Sequence, residues 1–188
     1  MRLVIAALLG GVMLFCWGFV SHMLLPTGNM GMGEASNEDV VLAALKQGLP
    51  AQAGVYMVPG LAPEQYEDTA AVAAYSAKAV AQPNAVIIYQ PVGRDGMAMG
   101  PQLATEFGTC TLAALLAAWV MSLGNFSFGK RVTIATVMGL FAWLVISVPY
   151  WNWYRFPVQF TAGSLIMTGV GWFLAGLPMA WWLGRRRR

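Results

Sequence analysis

Charged residues are scarce in this 188-residue sequence: Asp, Glu, Lys and Arg make up 10% of it, against roughly a quarter in an average soluble domain. Hydrophobic residues make up 58%. So few charges are untypical of a disordered segment, a nucleic-acid-binding module or most cytosolic enzymes, despite the net charge of +3. We therefore expect lipid to be the main solvent of the chain, and we expect no nucleic acid as a partner.

Residues that carry chemistry are also scarce. His22 is the only histidine, which excludes a histidine-rich metal site and a bis-histidine haem. The two cysteines, Cys16 and Cys110, fall inside apolar runs and cannot cross-link a domain outside the membrane. The sequence has no glycine-rich phosphate loop, no Cys-x-x-Cys pair and no serine elbow. These absences favour a protein that is not an enzyme, and we expect no cofactor.

Four long apolar runs predict transmembrane helices, at residues 1–25, 103–123, 132–150 and 160–183. A bilayer core about 30 Å thick needs roughly 20 apolar residues as helix, and backbone amides in lipid must bond internally. The first run is too long for a typical signal core, and no small-residue cleavage site follows it, so we expect an uncleaved anchor. The predicted fold is a membrane all-α bundle of four transmembrane helices.

The basic residues predict the orientation of these helices. Seven of the eleven lie at one set of helix ends: Arg2, Lys130, Arg131 and Arg185–Arg188. All eight acids lie between residues 34 and 106. Because positive residues stay in the cytoplasm, both termini are predicted inside. The Arg185–Arg188 run is interpreted as a stop-transfer anchor that touches anionic lipid.

This orientation assigns the segments between the helices. The loop 124–131 and the basic tail 184–188 are predicted to be cytoplasmic, and the segment 26–102 and the loop 151–159 periplasmic.

The segment 26–102 predicts a small α+β domain between the first two transmembrane helices. Its pattern is helix, strand, helix, strand, with the second helix beginning at Pro63 and the strands near 54–60 and 85–89. Two strands that flank a helix can form a right-handed parallel βαβ unit. A domain below about 80 residues is marginal alone, so we expect it to lean on the membrane helices or on a partner.

Five polar side chains are predicted at the outer membrane boundary: His22, Glu106, Asn152, Arg155 and Gln159. A bundle of four helices would bring them within reach of one another. One hypothesis is a polar pocket of a small transporter or membrane enzyme, with His22 and Glu106 as a proton-handling pair. The alternative is an ordinary interface, where polar and aromatic groups contact water and headgroups.

Methionine suggests a second candidate site. Met30, Met32, Met97 and Met99 flank the predicted external domain, and thioether ligands suit Cu(I). The alternative is that these side chains fill irregular contacts and that the chain binds no metal.

Small residues in the fourth run predict a helix-packing seam. Ser164, Thr168, Gly171 and Ala175 recur at helical spacing, followed by Pro178. Such a face lets another helix approach closely, either within the bundle or on a neighbouring subunit.

Two stretches, Trp17–Pro26 and Val148–Tyr154, resemble a group of uncharacterised bacterial inner-membrane proteins with four transmembrane helices and one periplasmic domain. The resemblance implies a bacterial inner membrane and a periplasmic side for 26–102, and it implies no activity. We therefore expect a non-catalytic accessory, assembly or structural subunit of a larger membrane complex, with the lipid bilayer and partner subunits as its partners.

Overall fold

The computed structural model describes residues 1–185 and divides into two compact units. The helical unit comprises Met1–Gly33 and the chain from Met97 onward, and the α/β unit comprises Glu34–Gly96. Three residues of the predicted basic tail, 186–188, lie outside the described residues. The elements in chain order are α1 (Arg2–Phe19), α2 (Glu38–Gly48), β1 (Gly54–Val58), α3 (Thr69–Ala81), β2 (Ala85–Tyr89), α4 (Gly100–Ser122), α5 (Phe128–Tyr154) and α6 (Val158–Gly184).

Four helical segments of the described chain are long and apolar enough to cross a membrane, as the four apolar runs predict. They have 23 to 27 residues, which corresponds to roughly 35 to 40 Å of helix. The first is α1 extended by a π-helical turn at Val20–Leu24, and the others are α4, α5 and α6.

The loops between these helices are shorter than predicted. Helix α5 begins at Phe128, inside the predicted loop 124–131, because the Ser127 side chain accepts a hydrogen bond from the Lys130 amide at 3.3 Å and caps the first turn. Helix α5 also continues over residues 151–154, which the sequence assigned to the loop 151–159. That connection is therefore reduced to residues 155–157.

Small side chains form the core of the helical unit. Helix α1 packs along α4 and α6, and α6 packs along α5, whereas α4 and α5 touch at few points. The buried cluster is mostly alanine: Ala6, Ala114, Ala117, Ala118, Met121, Ala135, Ala175 and Met179. Because these side chains are short, the helix backbones approach closely, and dispersion contacts stabilise the bundle.

The α/β unit follows the predicted order of helix, strand, helix, strand, but its second helix begins later than predicted. The Oδ1 atom of Asp68 accepts hydrogen bonds from the amides of Ala70 at 2.9 Å and Ala71 at 3.2 Å, so α3 begins at Thr69. The predicted start, Pro63, opens only a separate 3₁₀ turn that ends at Gln65.

The predicted parallel βαβ pairing is wrong, because β1 and β2 are antiparallel. Val58, the last residue of β1, lies opposite Ala85, the first residue of β2, and Gly54 lies opposite Tyr89. The connection therefore leaves and re-enters the sheet at the same end. Residues 59–68 precede α3 as a separate extended and 3₁₀ segment.

Candidate functional site

The structure places His22 in an exposed corner just after α1 rather than in a shared pocket. Its Nδ1 atom lies 3.3 Å from Oδ1 of Asn29, and the Asn29 amide group donates to the His22 carbonyl at 3.2 Å. Next to them, Oγ of the fully buried Ser21 lies 2.7 Å from Oγ1 of Thr27. These pairs join the π-helical turn Val20–Leu24 to a 3₁₀ turn at Pro26–Asn29.

This corner packs on the first turns of α6. A Cβ built on Gly163 would lie 2.6 Å from the Thr27 carbonyl oxygen, and one built on Gly31 would lie 2.7 Å from the Phe160 amide nitrogen. Gly31 has φ +75°, a left-handed conformation that glycine adopts without cost. Residues 26–33, which the sequence assigned to the external domain, thus belong to the helical unit.

Glu106 lies inside α4 rather than at its start. It follows Gly100 by six residues, roughly 9 Å along the helix axis. The next residue, Phe107, meets Phe15 of α1 edge-to-face with 5.7 Å between ring centroids, which places Glu106 beside the second half of α1. Its carboxylate is exposed on the helix surface, and its Oε1 atom accepts a hydrogen bond from the Cys110 thiol at 3.5 Å.

The three remaining residues of the predicted pocket are all exposed around the connection between α5 and α6: Asn152, Arg155 and Gln159. Arg155 has φ 59° and ends α5, where its amide donates to the Tyr150 carbonyl. Across residues 1–185, the structure contains no hydrogen bond or ion pair between any two of the five predicted pocket residues. The geometry therefore gives no support to the proton-handling pair, because His22 is engaged with Asn29 and Glu106 with Cys110.

Among the described residues, no cluster of conventional metal ligands supports the predicted methionine site. Within the described part of the chain, no group of three or more His, Cys, Asp or Glu side chains could hold a metal ion. Met30 packs on α6, where its Cβ would lie 3.0 Å from a Cβ built on Gly163. Met32, Met97 and Met99 are exposed. A copper site at these residues stays a prediction.

The predicted seam of α6 lies in the interior of the bundle. Gly171 and Ala175 are buried, and a Cβ built on Gly171 would lie 2.9 Å from Cδ1 of Trp17. The Ser164 hydroxyl accepts from the Trp143 indole at 3.1 Å, and the Thr168 hydroxyl donates to the Ser164 carbonyl at 2.7 Å. Helices α1 and α5 of the same chain pack against these residues.

Three tryptophan indoles that the sequence did not single out join the helices. The indole nitrogens of Trp17, Trp143 and Trp182 donate to the carbonyl oxygens of Met167 at 3.0 Å, Thr161 at 3.0 Å and Arg2 at 3.2 Å. Sequence reasoning placed tryptophan generally in an interfacial belt. The glycine at 171 was the one available signal that a bulky side chain approaches the α6 backbone.

One face of the two-stranded sheet in the α/β unit is apolar and largely exposed. Alternation places Val55, Met57, Val86 and Ile88 on this face, with Val55 opposite Ile88 and Met57 opposite Val86. Val55 is 65% exposed and Ile88 76%. On the opposite face, the rings of Tyr56 and Tyr89 meet at 6.3 Å.

An open groove of about 470 Å³ adjoins this sheet. Three tyrosines contribute to its lining, Tyr56, Tyr66 and Tyr75, together with Val55 and Met57 of β1. Aromatic rings with a polar tip are typical of surfaces that bind other proteins.

Comparison of the chain with protein-family models, with curated proteins and with solved structures found no match.

Proposed function

We propose that this chain is an integral membrane protein of the bacterial inner membrane and a non-catalytic accessory, assembly or structural subunit of a larger complex. In this proposal α1, α4, α5 and α6 span the bilayer, both termini are cytoplasmic, and the α/β unit is periplasmic and binds a partner subunit. The resemblance to bacterial four-helix inner-membrane proteins stays a prediction that agrees with this assignment.

The observation that carries the proposal is the absence of a core in the α/β unit. Pro59 is the only buried residue between residues 34 and 96, all of which the structure describes. Ordering a residue costs roughly 1–2 kcal/mol of backbone entropy, which soluble domains offset mainly by burying apolar side chains. A two-stranded sheet with an exposed apolar face is marginal in water. A protein surface that covers this face would supply the missing burial.

The uncovered sheet face and the adjoining tyrosine groove suit a protein partner rather than a small polar ligand. Val55, Met57, Val86 and Ile88 offer no charge and no side-chain hydrogen-bond donor, so binding there gains free energy from apolar burial. Tyrosines at the border can bond to polar groups of the partner.

Site-specific photo-cross-linking in cells tests this proposal. A photoreactive amino acid at Ile88 should yield one cross-linked product of defined mass, containing a second membrane protein identified by mass spectrometry. The same amino acid at Gln47, an exposed position of α2, is the matched control and should give no such product. Ile88→Asp should reduce co-purification of that partner in mild detergent, whereas Gln47→Asp should not.

Two results would overturn the proposal. If both positions give the same diffuse pattern, or neither gives a product, the sheet face does not bind a specific partner. If the sole product is a dimer of this chain, the protein is a homo-oligomer rather than a subunit of a mixed complex.

A further inference from the structure

The first residue of α1 holds the last turn of α6. The Arg2 guanidinium donates through Nη2 to the carbonyls of Leu183, at 2.9 Å, and Arg185. The Trp182 indole donates back to the Arg2 carbonyl at 3.2 Å. Carbonyls at a helix C-terminus lack intrahelical partners, and a cation there is favourable. Hydrogen bonds in both directions therefore join the start of α1 to the end of α6.

A second arginine lies next to these joined helix ends and has an N–H donor without an acceptor. Arg131, in the first turn of α5, reaches the last residue of α6, because a Cβ built on Gly184 would lie 3.6 Å from its Nη1 atom. Its Nε atom is buried and has no hydrogen-bond partner. A buried N–H group without a partner costs free energy, so such a group is expected to have an acceptor when the protein is in its natural surroundings.

A third arginine is oriented by aromatic rings. The Arg185 guanidinium carbon lies 4.2 Å from the ring centroid of Trp181 and 5.4 Å from that of Trp182. The ring contact engages the face of the guanidinium, while its N–H donors point outward in its own plane.

These three arginines have no counter-ion among the residues of their own unit that the structure describes. The helical unit contains a single acid, Glu106, which lies beside the second half of α1 and so near the opposite end of that helix from Arg2. Among residues 1–185, none of Arg2, Arg131 and Arg185 forms an ion pair. Within the described residues no carboxylate is placed to neutralise the cluster, so an external anion can pair with it.

We propose that Arg2, Arg131 and Arg185 form a binding site for the phosphate of an anionic phospholipid, held between the ends of α1, α5 and α6. Guanidinium groups bind phosphate through paired N–H donors, and basic pockets between transmembrane helices take anionic headgroups. In the proposed orientation, Trp181 and Trp182 lie at the helix end where indoles contact the headgroup region. The site rests on the proposed membrane insertion and is independent of the partner at the sheet face.

Lipid titration of the full-length chain tests the site. The protein, purified in mild detergent and delipidated, is titrated with phosphatidylglycerol, phosphatidylcholine or inorganic phosphate, and thermal unfolding and native mass spectrometry report binding. We expect phosphatidylglycerol to raise the melting temperature by several degrees and to remain bound as one retained lipid. Phosphatidylcholine and inorganic phosphate should leave the melting temperature unchanged.

Neighbouring cations provide a matched pair of variants. Arg131→Gln should weaken phosphatidylglycerol binding about tenfold, whereas Lys130→Gln, which removes the same charge from an exposed neighbour, should change it less than twofold. Arg131→Lys keeps the charge and loses the Nε donor, so it should weaken binding by an intermediate factor. It also serves as the test if Arg131→Gln does not fold.

Three outcomes would overturn the site. Equal losses for Arg131→Gln and Lys130→Gln would mean that only the overall charge attracts lipid. Equal stabilisation by phosphatidylcholine would mean a non-specific lipid effect. Stabilisation by inorganic phosphate alone would assign the site to a free anion. None of these results bears on cross-linking at Ile88, so the two proposals fail independently.

Discussion

The indole nitrogen of Trp17 lies 3.0 Å from the carbonyl oxygen of Met167, and the residue one turn further along α6 is Gly171. The two facts are connected. The indole reaches the helix backbone because Gly171 has no side chain, and a Cβ there would lie 2.9 Å from Cδ1 of Trp17. Trp143 repeats the contact from α5, donating to the Thr161 carbonyl. Helix α6 is therefore held from two sides by indole donors.

Gly171→Ala should displace the Trp17 ring and destabilise the helical unit by about 1–3 kcal/mol, as overpacking of a close contact does. Thermal unfolding in detergent, followed by tryptophan fluorescence, measures the loss. Gly108→Ala in α4 is the matched control, since nothing lies within 4 Å of a Cβ built there. Equal melting temperatures for the two variants would show that the ring accommodates the methyl group.

His22→Ala and Glu106→Gln should act independently, because His22 bonds to Asn29 and Glu106 to Cys110. Their effects on the free energy of unfolding should add within about 0.5 kcal/mol. A double-mutant cycle on Ser21 and Thr27, whose side-chain oxygens are 2.7 Å apart, should show coupling of about 0.5–1.5 kcal/mol. Comparable coupling between His22 and Glu106 would restore the predicted proton-handling pocket.

Arg155→Gly should stabilise the protein by about 0.5–1 kcal/mol. Arg155 ends α5 at φ 59°, and a left-handed conformation favours glycine over residues with a Cβ. Arg155→Ala keeps the Cβ and should bring no such gain in melting temperature. A clear loss of stability in the glycine variant would show that the arginine side chain makes contacts worth more than the backbone relief.

Asp68→Ala should destabilise the start of α3 by about 1 kcal/mol, because two amides lose their acceptor. Hydrogen exchange in the full-length protein should show faster exchange at Ala70 and Ala71. Asp68→Asn keeps a side-chain oxygen at the cap and should preserve their protection. If the alanine and asparagine variants exchange alike, the cap does not hold this turn.

Hydropathy predicts the four long helices but not where they end. Residues 151–154 are aromatic and polar, a composition that suits an interface loop and a helical turn equally well. Helix α5 continues through them because its backbone bonds run on until Arg155 takes a left-handed conformation. Local caps decide such boundaries, and a single side chain such as Ser127 moves one by a full turn.

The relative direction of β1 and β2 could not be predicted from the sequence, for a different reason. Proline at position 63 marks the start of either an α-helix or a 3₁₀ turn, and neither choice fixes whether the connection returns to the same end of the sheet. The packing seam of α6 shows that distant contacts of the candidate site are equally hard to predict. Helical spacing identifies Gly171 as part of a packing face, yet nothing local to α6 indicates that Trp17, 154 residues earlier, occupies it.

The contact between Arg2 and the last turn of α6 has a consequence for biogenesis. The ribosome adds Leu183 181 residues after Arg2, so α1 is synthesised on the order of ten to forty seconds before its partner exists. During that interval its surface for α6, including Gly10 and Trp17, is available to other membrane helices. Packing of α6 therefore completes the contacts of α1 in the helical unit, and a chaperone or neighbouring subunit that shields α1 would act within that window.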